Sequence, residues 1–407
     1  MNKLEELINK LCPNGVEYKK LEDITKSVNI GINPRKFFKL NPDDATGFYV
    51  TVRELNGLKG VNQTEKTDLI NDEAINIIQA RANIENGDIL FSNTGTVGKM
   101  ALVNYDTLNW GVNEGIYVIK PNNEIISSKF LYYYLDSNLS YADYSKLFTG
   151  STMKHITQKA LLSISIPVPP LEVQDEIVHI LDDFTSLLSE LSLELIARQK
   201  QYEYYKNKLL VFDRNDTKIS WISLGECCKR LKGTAITAGQ MKKIACEGGE
   251  VRIFAGGKTV VDTTPENINQ GDIITVPNII VQSRGIIDFI YYEKPCSFKR
   301  EMWSYTNDNK VTLKYIYYYL KKNVEFFRKR GSQMGSMPQI SLDVTEKYMI
   351  PIPSIAEQER VVNILEKFDE LCNNISYGLP AEIEKRQKQY EYYRDKLLSF
   401  KEVEVNE

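Results

Sequence analysis

Arg198–Phe212 reads RQKQYEYYKNKLLVF, and Arg386–Phe400 reads RQKQYEYYRDKLLSF. Twelve of the fifteen positions are identical. Upstream, IPVPPLEVQDEIVHILDDF (166–184) matches IPIPSIAEQERVVNILEKF (350–368) at eight of nineteen positions, and KFLYYYL (129–135) matches KYIYYYL (314–320). Similarity at a nearly fixed offset is the signature of a repeated architecture. The chain therefore consists of one unit of about 190 residues written twice.

Long helices are predicted after each Ile-Pro-x-Pro element, because proline favours the first turn of a helix. In the first helix an apolar seam repeats every seven residues, at Ile177, Phe184, Leu191, Arg198 and Tyr205, with Leu181, Leu188 and Leu195 at companion positions. Such a heptad pattern is typical of a coiled coil. Gly378-Leu379-Pro380 predicts a break in the second helix. We expect the two helices to pair antiparallel, with internal pseudo-twofold symmetry; the alternative is that each packs only on its own domain.

The segments before these helices are predicted to be mixed α and β. Short β-rich runs punctuated by Gly and Asn predict strands at 47–52, 88–91 and 115–119 in the first copy and at 251–254, 272–276 and 286–292 in the second. Helices ending in tyrosine clusters are predicted at 130–135 and 315–320, with the tyrosines as packing residues rather than a base-stacking platform. The predicted fold is α+β, with domains at 1–165 and 214–349 and helical regions at 166–213 and 350–407.

The composition argues against catalysis by this chain. Its 407 residues include only two histidines, which excludes a multi-histidine metal site. The six cysteines contain no C-x-x-C pair and are expected to be reduced thiols. The sequence that ends in Gly257-Lys258-Thr259 does not match the phosphate-binding motif G-x-x-x-x-G-K-[ST], because Arg252 occupies the position of its first glycine. No apolar run reaches the ~18 residues of a membrane span. A binding protein of the cytoplasm is therefore expected.

The net charge of −3 hides an uneven distribution. Residues 1–165 carry net −1, 166–212 net −4, 213–349 net +6 and 350–407 net −4. The acidic helical blocks would repel a phosphate backbone, whereas the basic second domain favours a polyanionic partner.

The chain resembles the specificity subunit of Type I restriction–modification systems. The resemblance lies in the repeated halves, the Ile-Pro-x-Pro starts, the RQKQYEYY endings and the Gly-Asp-Ile and Gly-Ser elements. The resemblance implies two target recognition domains, each reading one half of a bipartite, asymmetric double-stranded DNA site. It implies that the helices set the spacer and dock methyltransferase (M) subunits, two in number, and that restriction (R) subunits can join. S-adenosylmethionine, ATP and Mg²⁺ would belong to those partners, so no cofactor, metal or catalytic residue is expected here.

Candidate DNA-binding residues follow from loop position and chemistry, because Arg, Lys, Asn and Gln read base edges and small residues allow close approach. They are Arg53, Arg81, Asn93, Thr94, Thr96, Lys99, Thr149, Ser151, Thr152 and Lys154 in the first copy, and Arg252, Lys258, Gln282, Arg284, Ser336 and Gln339 in the second. His155 is expected to be a polar surface residue rather than a base reader.

Partner-binding residues are predicted at Tyr202, Tyr205, Tyr390 and Tyr393. The alternative function is a non-enzymatic coiled-coil scaffold whose globular units bind proteins. Salt dependence separates the two functions, because a DNA reader loses affinity steeply with added salt.

Overall fold

The computed structural model describes residues 3–104, 109–257, 259–334, 337–374 and 376–403. The chain divides into two compact units, residues 1–190 with 383–407 and residues 191–382. These divisions fall inside helical regions, whereas the predicted segments divide the chain where globular parts meet helices. That segmentation stays a prediction.

Up to Leu209 the chain forms seven helices and nine strands among the described residues. The helices are α1 (Lys3–Leu11), α2 (Leu21–Ile24), α3 (Asp72–Arg81), α4 (Ser128–Leu135), α5 (Asn138–Tyr144), α6 (Gln158–Leu162) and α7 (Leu171–Leu209). The strands are β1 (Glu17–Lys20), β2 (Thr25–Ile30), β3 (Gly47–Val50), β4 (Asp68–Ile70), β5 (Ile89–Ser92), β6 (Met100–Leu102), β7 (Trp110–Val112), β8 (Ile116–Pro121) and β9 (Ser165–Val168).

The rest of the chain follows a similar order, with α9 between β11 and β12 and with 3₁₀ turns in place of α3 before β14. The helices are α8 (Leu224–Cys227), α9 (Ala238–Lys243), α10 (Lys310–Lys322), α11 (Val324–Arg330), α12 (Leu342–Glu346), α13 (Ile355–Asn373) and α14 (Leu379–Leu397). The strands are β10 (Ser220–Ser223), β11 (Lys229–Lys232), β12 (Val251–Phe254), β13 (Val260–Thr263), β14 (Asn278–Gln282), β15 (Asp288–Tyr292), β16 (Cys296–Phe298), β17 (Trp303–Thr306), β18 (Ser332–Met334), β19 (Met337–Gln339) and β20 (Met349–Ile352).

Both units have the same sheet topology. The first contains a four-stranded sheet in the order β2-β8-β5-β6, a three-stranded sheet β4-β3-β7 and the pair β1-β9. The second contains β11-β17-β14-β15, β13-β12-β16 and β10-β20 in the same arrangement, with β18-β19 as an additional hairpin. In each three-stranded sheet one neighbour of the central strand is antiparallel and the other parallel. The repeat seen in the sequence is therefore a repeat of the fold.

The tyrosine clusters pack in the cores, as predicted. Tyr133 on α4 and Tyr315 on α10 are fully buried, and each hydroxyl has a partner. Tyr133 donates to the Asp182 carboxylate at 2.7 Å, and Tyr315 donates to the Pro351 carbonyl at 2.8 Å. A buried tyrosine combines a large apolar ring with a polar atom that must be satisfied. These rings therefore stabilise each unit and are not available to stack on bases.

Paired long helices are present, and the antiparallel order is confirmed. In the first unit the Phe184 ring on α7 lies 5.7 Å from the Tyr393 ring on α14. In the second unit the Tyr205 ring, further along α7, lies 5.5 Å from the Phe368 ring on α13. Residue numbers rise along α7 while those of its partners fall, which is antiparallel pairing. The predicted break is also present, because α13 ends at Asn373 and α14 begins at Leu379.

One predicted strand is wrong. Residues 272–276 were expected to match the strand that follows Gly87-Asp88-Ile89, but Gln270–Asp272 is a 3₁₀ turn and Ile274 makes only an isolated bridge to Cys296. Pro277 has no backbone N–H to donate to a ladder. The strand therefore begins at Asn278, five residues later than the sequence match suggests.

The first unit is assembled from both ends of the chain. The Val16 N–H donates to the Lys401 carbonyl at 2.8 Å, and the Val403 N–H donates to the Val16 carbonyl at 3.0 Å. Gly15 has φ +109°, and a Cβ there would lie 2.4 Å from the Lys401 oxygen. Only glycine accommodates both the backbone conformation and this close approach.

Candidate nucleic-acid interface

In the first unit, two loops meet at the end of β5. The Ile156 N–H donates to the Asn93 carbonyl at 3.0 Å, and the Gly95 N–H donates to the Lys154 carbonyl at 2.8 Å. Between them Thr94 and His155 form an isolated antiparallel bridge, with Thr94 Oγ1 2.9 Å from His155 Nδ1. These contacts present the side chains of Thr94 and His155 together at the tip of the loop pair.

In the second unit, the corresponding loops meet at the end of β14 with the same backbone contacts. The Ile340 N–H donates to the Ser283 carbonyl at 3.0 Å, and the Gly285 N–H donates to the Pro338 carbonyl at 3.0 Å. Arg284 and Gln339 occupy the isolated bridge, and Arg284 Nε donates to Gln339 Oε1 at 3.0 Å. The pair at the tip is therefore Thr94–His155 in one unit and Arg284–Gln339 in the other.

A glycine follows the first tip residue in each unit. Gly95 and Gly285 both have φ +75°, a left-handed conformation that glycine adopts without strain. A Cβ on Gly95 would meet no atom within 4 Å, and the corresponding space at Gly285 holds only the Gly257 nitrogen at 3.9 Å. The two loops share one backbone frame, and open space at both glycines leaves room for a ligand.

The exposed candidates of the first unit cluster around this tip. Thr96, Thr149, Ser151, Thr152 and Lys154 are all exposed in loops that join the Thr94–His155 frame. The Lys154 ammonium lies 5.8 Å from the centre of the Phe148 ring, which leaves its charge facing solvent. Small hydroxyl residues with one lysine suit contacts to phosphate oxygens and base edges.

Other candidates of the first unit are engaged within the fold. Asn93 is 1% exposed and donates to the Glu114 carbonyl at 2.9 Å. Lys99 Nζ donates to the carbonyls of Val52 at 2.7 Å and Arg53 at 3.1 Å. Arg53 extends towards Asp68 at 3.5 Å, and Arg81 is exposed at the end of α3. Asn93 and Lys99 therefore position the loop and its neighbours.

In the second unit, too, some candidate DNA-binding residues are held by hydrogen bonds within the fold. Gln282 is buried and donates to the Gly257 carbonyl at 2.6 Å, which ties a third loop to the tip. Arg252 donates from Nε and Nη2 to Asp262 at 2.7 and 2.8 Å. Those hydrogen bonds lower the pKa of Asp262 and raise that of Arg252. Lys258 and Ser336 lie outside the described residues.

His155, which was expected to be a polar surface residue, lies at the tip beside Thr94. The matched backbone contacts make it the counterpart of Gln339, which was a candidate. The signal was available, because 155 and 339 differ by the same 184 residues that separate the two Ile-Pro-x-Pro elements. His155 therefore joins the tip of the first unit.

The four tyrosines predicted to bind partners contact aromatic rings inside their own units. Tyr390 is 6% exposed, and its burial raises its pKa to about 12. Its ring lies 6.4 Å from Phe184, and the Tyr202 ring lies 6.1 Å from Phe368. In the two RQKQYEYY endings Tyr204 is 58% exposed, Tyr392 62% and Tyr393 37%.

Among the described residues no group of three or more His, Cys, Asp and Glu side chains could hold a metal ion. The described helices also include none that is long and apolar enough to cross a bilayer.

Known proteins and a family model match both copies of the repeated unit. The model of the Type I restriction modification DNA specificity domain matches residues 13–198 and again residues 220–385. The specificity subunit of the type I restriction enzymes EcoR124I and EcoR124II of Escherichia coli is 34% identical over 302 residues, which cover 68% of this chain and 72% of that protein. A Haemophilus influenzae protein, provisionally described as a type I restriction enzyme specificity subunit, is 34% identical over 74% of this chain and 81% of its own length.

A solved structure has the same fold. The Type I restriction–modification S subunit from Mycoplasma genitalium aligns with a TM-score of 0.59 and 17% sequence identity, over 98% of this chain and 99% of that one. Both copies of the domain match the family model, and the copies share one loop frame with different residues at its tip. The chain therefore belongs to the Type I restriction–modification DNA-specificity family, and it is a DNA sequence-specificity subunit.

Proposed function

We propose that each unit reads one half of a bipartite double-stranded DNA site through its loop tip. The observation that carries this proposal is the shared backbone frame with Thr94–His155 in one unit and Arg284–Gln339 in the other. A common frame would present either pair to a groove in the same way. Different side chains at equivalent positions would read different bases, which a split, asymmetric site requires.

The chemistry of the second tip suits major-groove contacts. Arginine donates two hydrogen bonds to guanine O6 and N7, and glutamine pairs with adenine N6 and N7. Arg284 is exposed, and its hydrogen bond to Gln339 holds both side chains in place before DNA binds. At the first tip, His155 and the neighbouring hydroxyl residues offer donors and acceptors of a different pattern.

The helices are proposed to dock two methyltransferase subunits. Four pairs of residues in the two RQKQYEYY endings are identical and exposed in both units, namely Gln199 and Gln387, Lys200 and Lys388, Tyr204 and Tyr392, and Lys208 and Lys396. Exposed residues gain nothing from packing, so their repetition supports two copies of one partner. S-adenosylmethionine, ATP and Mg²⁺ would be bound by partner subunits, and this chain would supply recognition without catalysis.

A methylome experiment tests the proposal. The chain is co-expressed with its methyltransferase partner, and methylated motifs are mapped. We expect one bipartite motif. Arg284→Ala should relax one half of the motif and His155→Ala the other, each by roughly 5- to 150-fold in discrimination, as for the loss of a 1–3 kcal/mol base contact.

The matched control is Lys310→Ala, which removes an exposed cation of the second unit that pairs with Glu293 at 3.0 Å. It should leave the motif unchanged. If Arg284→Ala and His155→Ala alter the same half, or neither half, the assignment of one tip to each half is wrong. A wild-type motif without two separated halves would contradict the proposed function itself.

A further inference from the structure

A recess of about 640 Å³ lies on the second unit, away from the Arg284–Gln339 tip, which does not line it. Its aromatic floor consists of Trp221, Tyr319, Phe326 and Tyr348. The Phe326 and Tyr348 rings lie 4.9 Å apart, and the Tyr319 ring is 6.2 Å from Tyr348. Met349, at 39% exposure, completes the lining with an accessible apolar side chain.

Two arginines stand over this floor. The Arg214 guanidinium lies 5.2 Å from the Trp221 ring centre, and the Arg330 guanidinium lies 4.4 Å from the Phe326 ring centre. Within the described part of the chain, neither arginine forms an ion pair with a carboxylate. Arginines that are held by aromatic faces and lack a carboxylate partner are pre-organised to receive one.

The internal repeat shows that this basic character is specific to the second unit. At the offsets that align the repeats, the positions of Arg214, Arg330 and Lys347 are occupied in the first unit by Glu402, Ser145 and Ser163. The three positions therefore carry +3 in the second copy and −1 in the first. Since the two copies share one fold, the added charge is not required for folding.

The tryptophan of the recess differs from its counterpart as well. Tyr18 occupies the equivalent position in the first unit, since it pairs with Pro167 as Trp221 pairs with Pro351, and its hydroxyl donates to the Phe400 carbonyl at 3.0 Å. The indole N–H of Trp221 is buried without a hydrogen-bond partner among the described residues. The Trp221 N–H of the second unit therefore lacks a partner among the described residues, whereas the Tyr18 hydroxyl at the equivalent position of the first unit has one.

From these observations we infer that the recess adds, on the second unit alone, a docking site for an acidic segment of one of the two methyltransferase subunits, which seats an apolar side chain on the aromatic floor and its carboxylates against Arg214 and Arg330. This inference rests on the proposed function. Pockets lined by Trp, Tyr and Arg dominate the binding energy of protein interfaces. A DNA backbone is a poorer fit, because its phosphates do not fill an aromatic recess and the lining includes the Asp343 carboxylate.

The test uses the full-length chain and the purified methyltransferase subunit of its own system. The variant Arg214→Glu/Arg330→Ser carries the residues of the first copy, which are compatible with the shared fold. Its affinity for the methyltransferase subunit should fall roughly tenfold to hundredfold, as for loss of an interface hot spot. Met349→Glu, which opposes an acidic ligand without touching either arginine, should weaken binding in the same direction.

The control is Lys329→Glu, which reverses an exposed charge beside Arg330 that does not line the recess. It should bind as the wild type does. The inference is overturned if the first two variants retain full affinity, or if they instead lose affinity for DNA with a smaller salt dependence, which would identify a phosphate contact. Failure of the wild-type chain to bind the methyltransferase subunit would reject the proposed function, not the choice of recess alone.

Discussion

Removing the carboxylate of Asp136 is expected to destabilise the first unit more than removing both members of its ion pair. Arg394 Nη1 donates to Asp136 Oδ2 at 2.8 Å, and the Arg394 side chain is only 7% exposed. Without Asp136, a charge that is buried in the folded unit keeps a single carboxylate, Asp395, at 3.3 Å. An unpaired buried charge costs more than a missing pair.

The expected magnitude follows from this geometry. Breaking a fully buried pair costs about 3–5 kcal/mol. Asp136 is 39% exposed and Asp395 remains near the guanidinium, so we expect about 2–3 kcal/mol for Asp136→Ala. For Asp136→Ala/Arg394→Met, which removes the buried cation and leaves Asp395 bonded to Asn138, about 1 kcal/mol is expected.

Hydrogen exchange measured by mass spectrometry provides the assay, with peptides of the second unit as the internal reference. Asp136→Ala should accelerate exchange of the most protected amides of the first unit roughly 30- to 140-fold. Glu384→Ala is the control on the same helix, since it removes an exposed partner of Lys388, and exchange should not change measurably. The reasoning is refuted if the double variant exchanges as fast as Asp136→Ala, or if Asp136→Ala matches the wild type.

Three further outcomes are expected. Burial raises the folded-state pKa of Asp88 above its ordinary 3.8 despite the opposing effect of Lys120, so the folded state binds the proton more tightly. Stability should therefore fall as the pH rises through the window above 3.8, and Asp88→Asn should abolish that part of the pH dependence measured by urea unfolding. Gln174 bonds Ser127, Ile125 and Pro169, whereas its counterpart Gln358 bonds Pro353, so Gln174→Ala should cost about 2–3 kcal/mol and Gln358→Ala about 1 in the same assay. The hydrogen bond from Cys228 lowers the pKa of Cys227, so iodoacetamide should label Cys227 before Cys228 in a mass-spectrometric time course, and the reverse order would contradict that assignment.

The elements that sequence predicted well are those encoded by local pattern. The heptad spacing from Ile177 to Tyr205 specified α7, and the Gly378–Pro380 sequence specified the gap between α13 and α14. Both signals depend on residues within a few turns of each other. The strand predicted at 272–276 failed because a matching Gly-Asp-Ile element carries no information about the five residues inserted before β14.

The candidate site was only partly predictable, because it depends on contacts between distant segments. Nothing near Asn93 or Lys99 in the sequence indicates that their side chains serve carbonyls of other loops. The pairing of Thr94 with His155 joins residues 61 positions apart. Local chemistry located the loops, but only the tertiary contacts separated residues that hold the loops from those presented at the tip.

The backbone pairing of Val16 with Lys401 and Val403 also has a consequence for synthesis on the ribosome. The second unit is continuous, and all of its residues have been synthesised before the final helix is complete. The first unit begins earlier but needs residues 383–403, whose backbone pairs with Val16 at the last step. At 5–20 residues per second, the segment around Val16 waits about 20–80 seconds for that partner. The part of the protein made first is therefore finished last, and premature termination near the carboxyl end should spare the second unit while leaving the first one open.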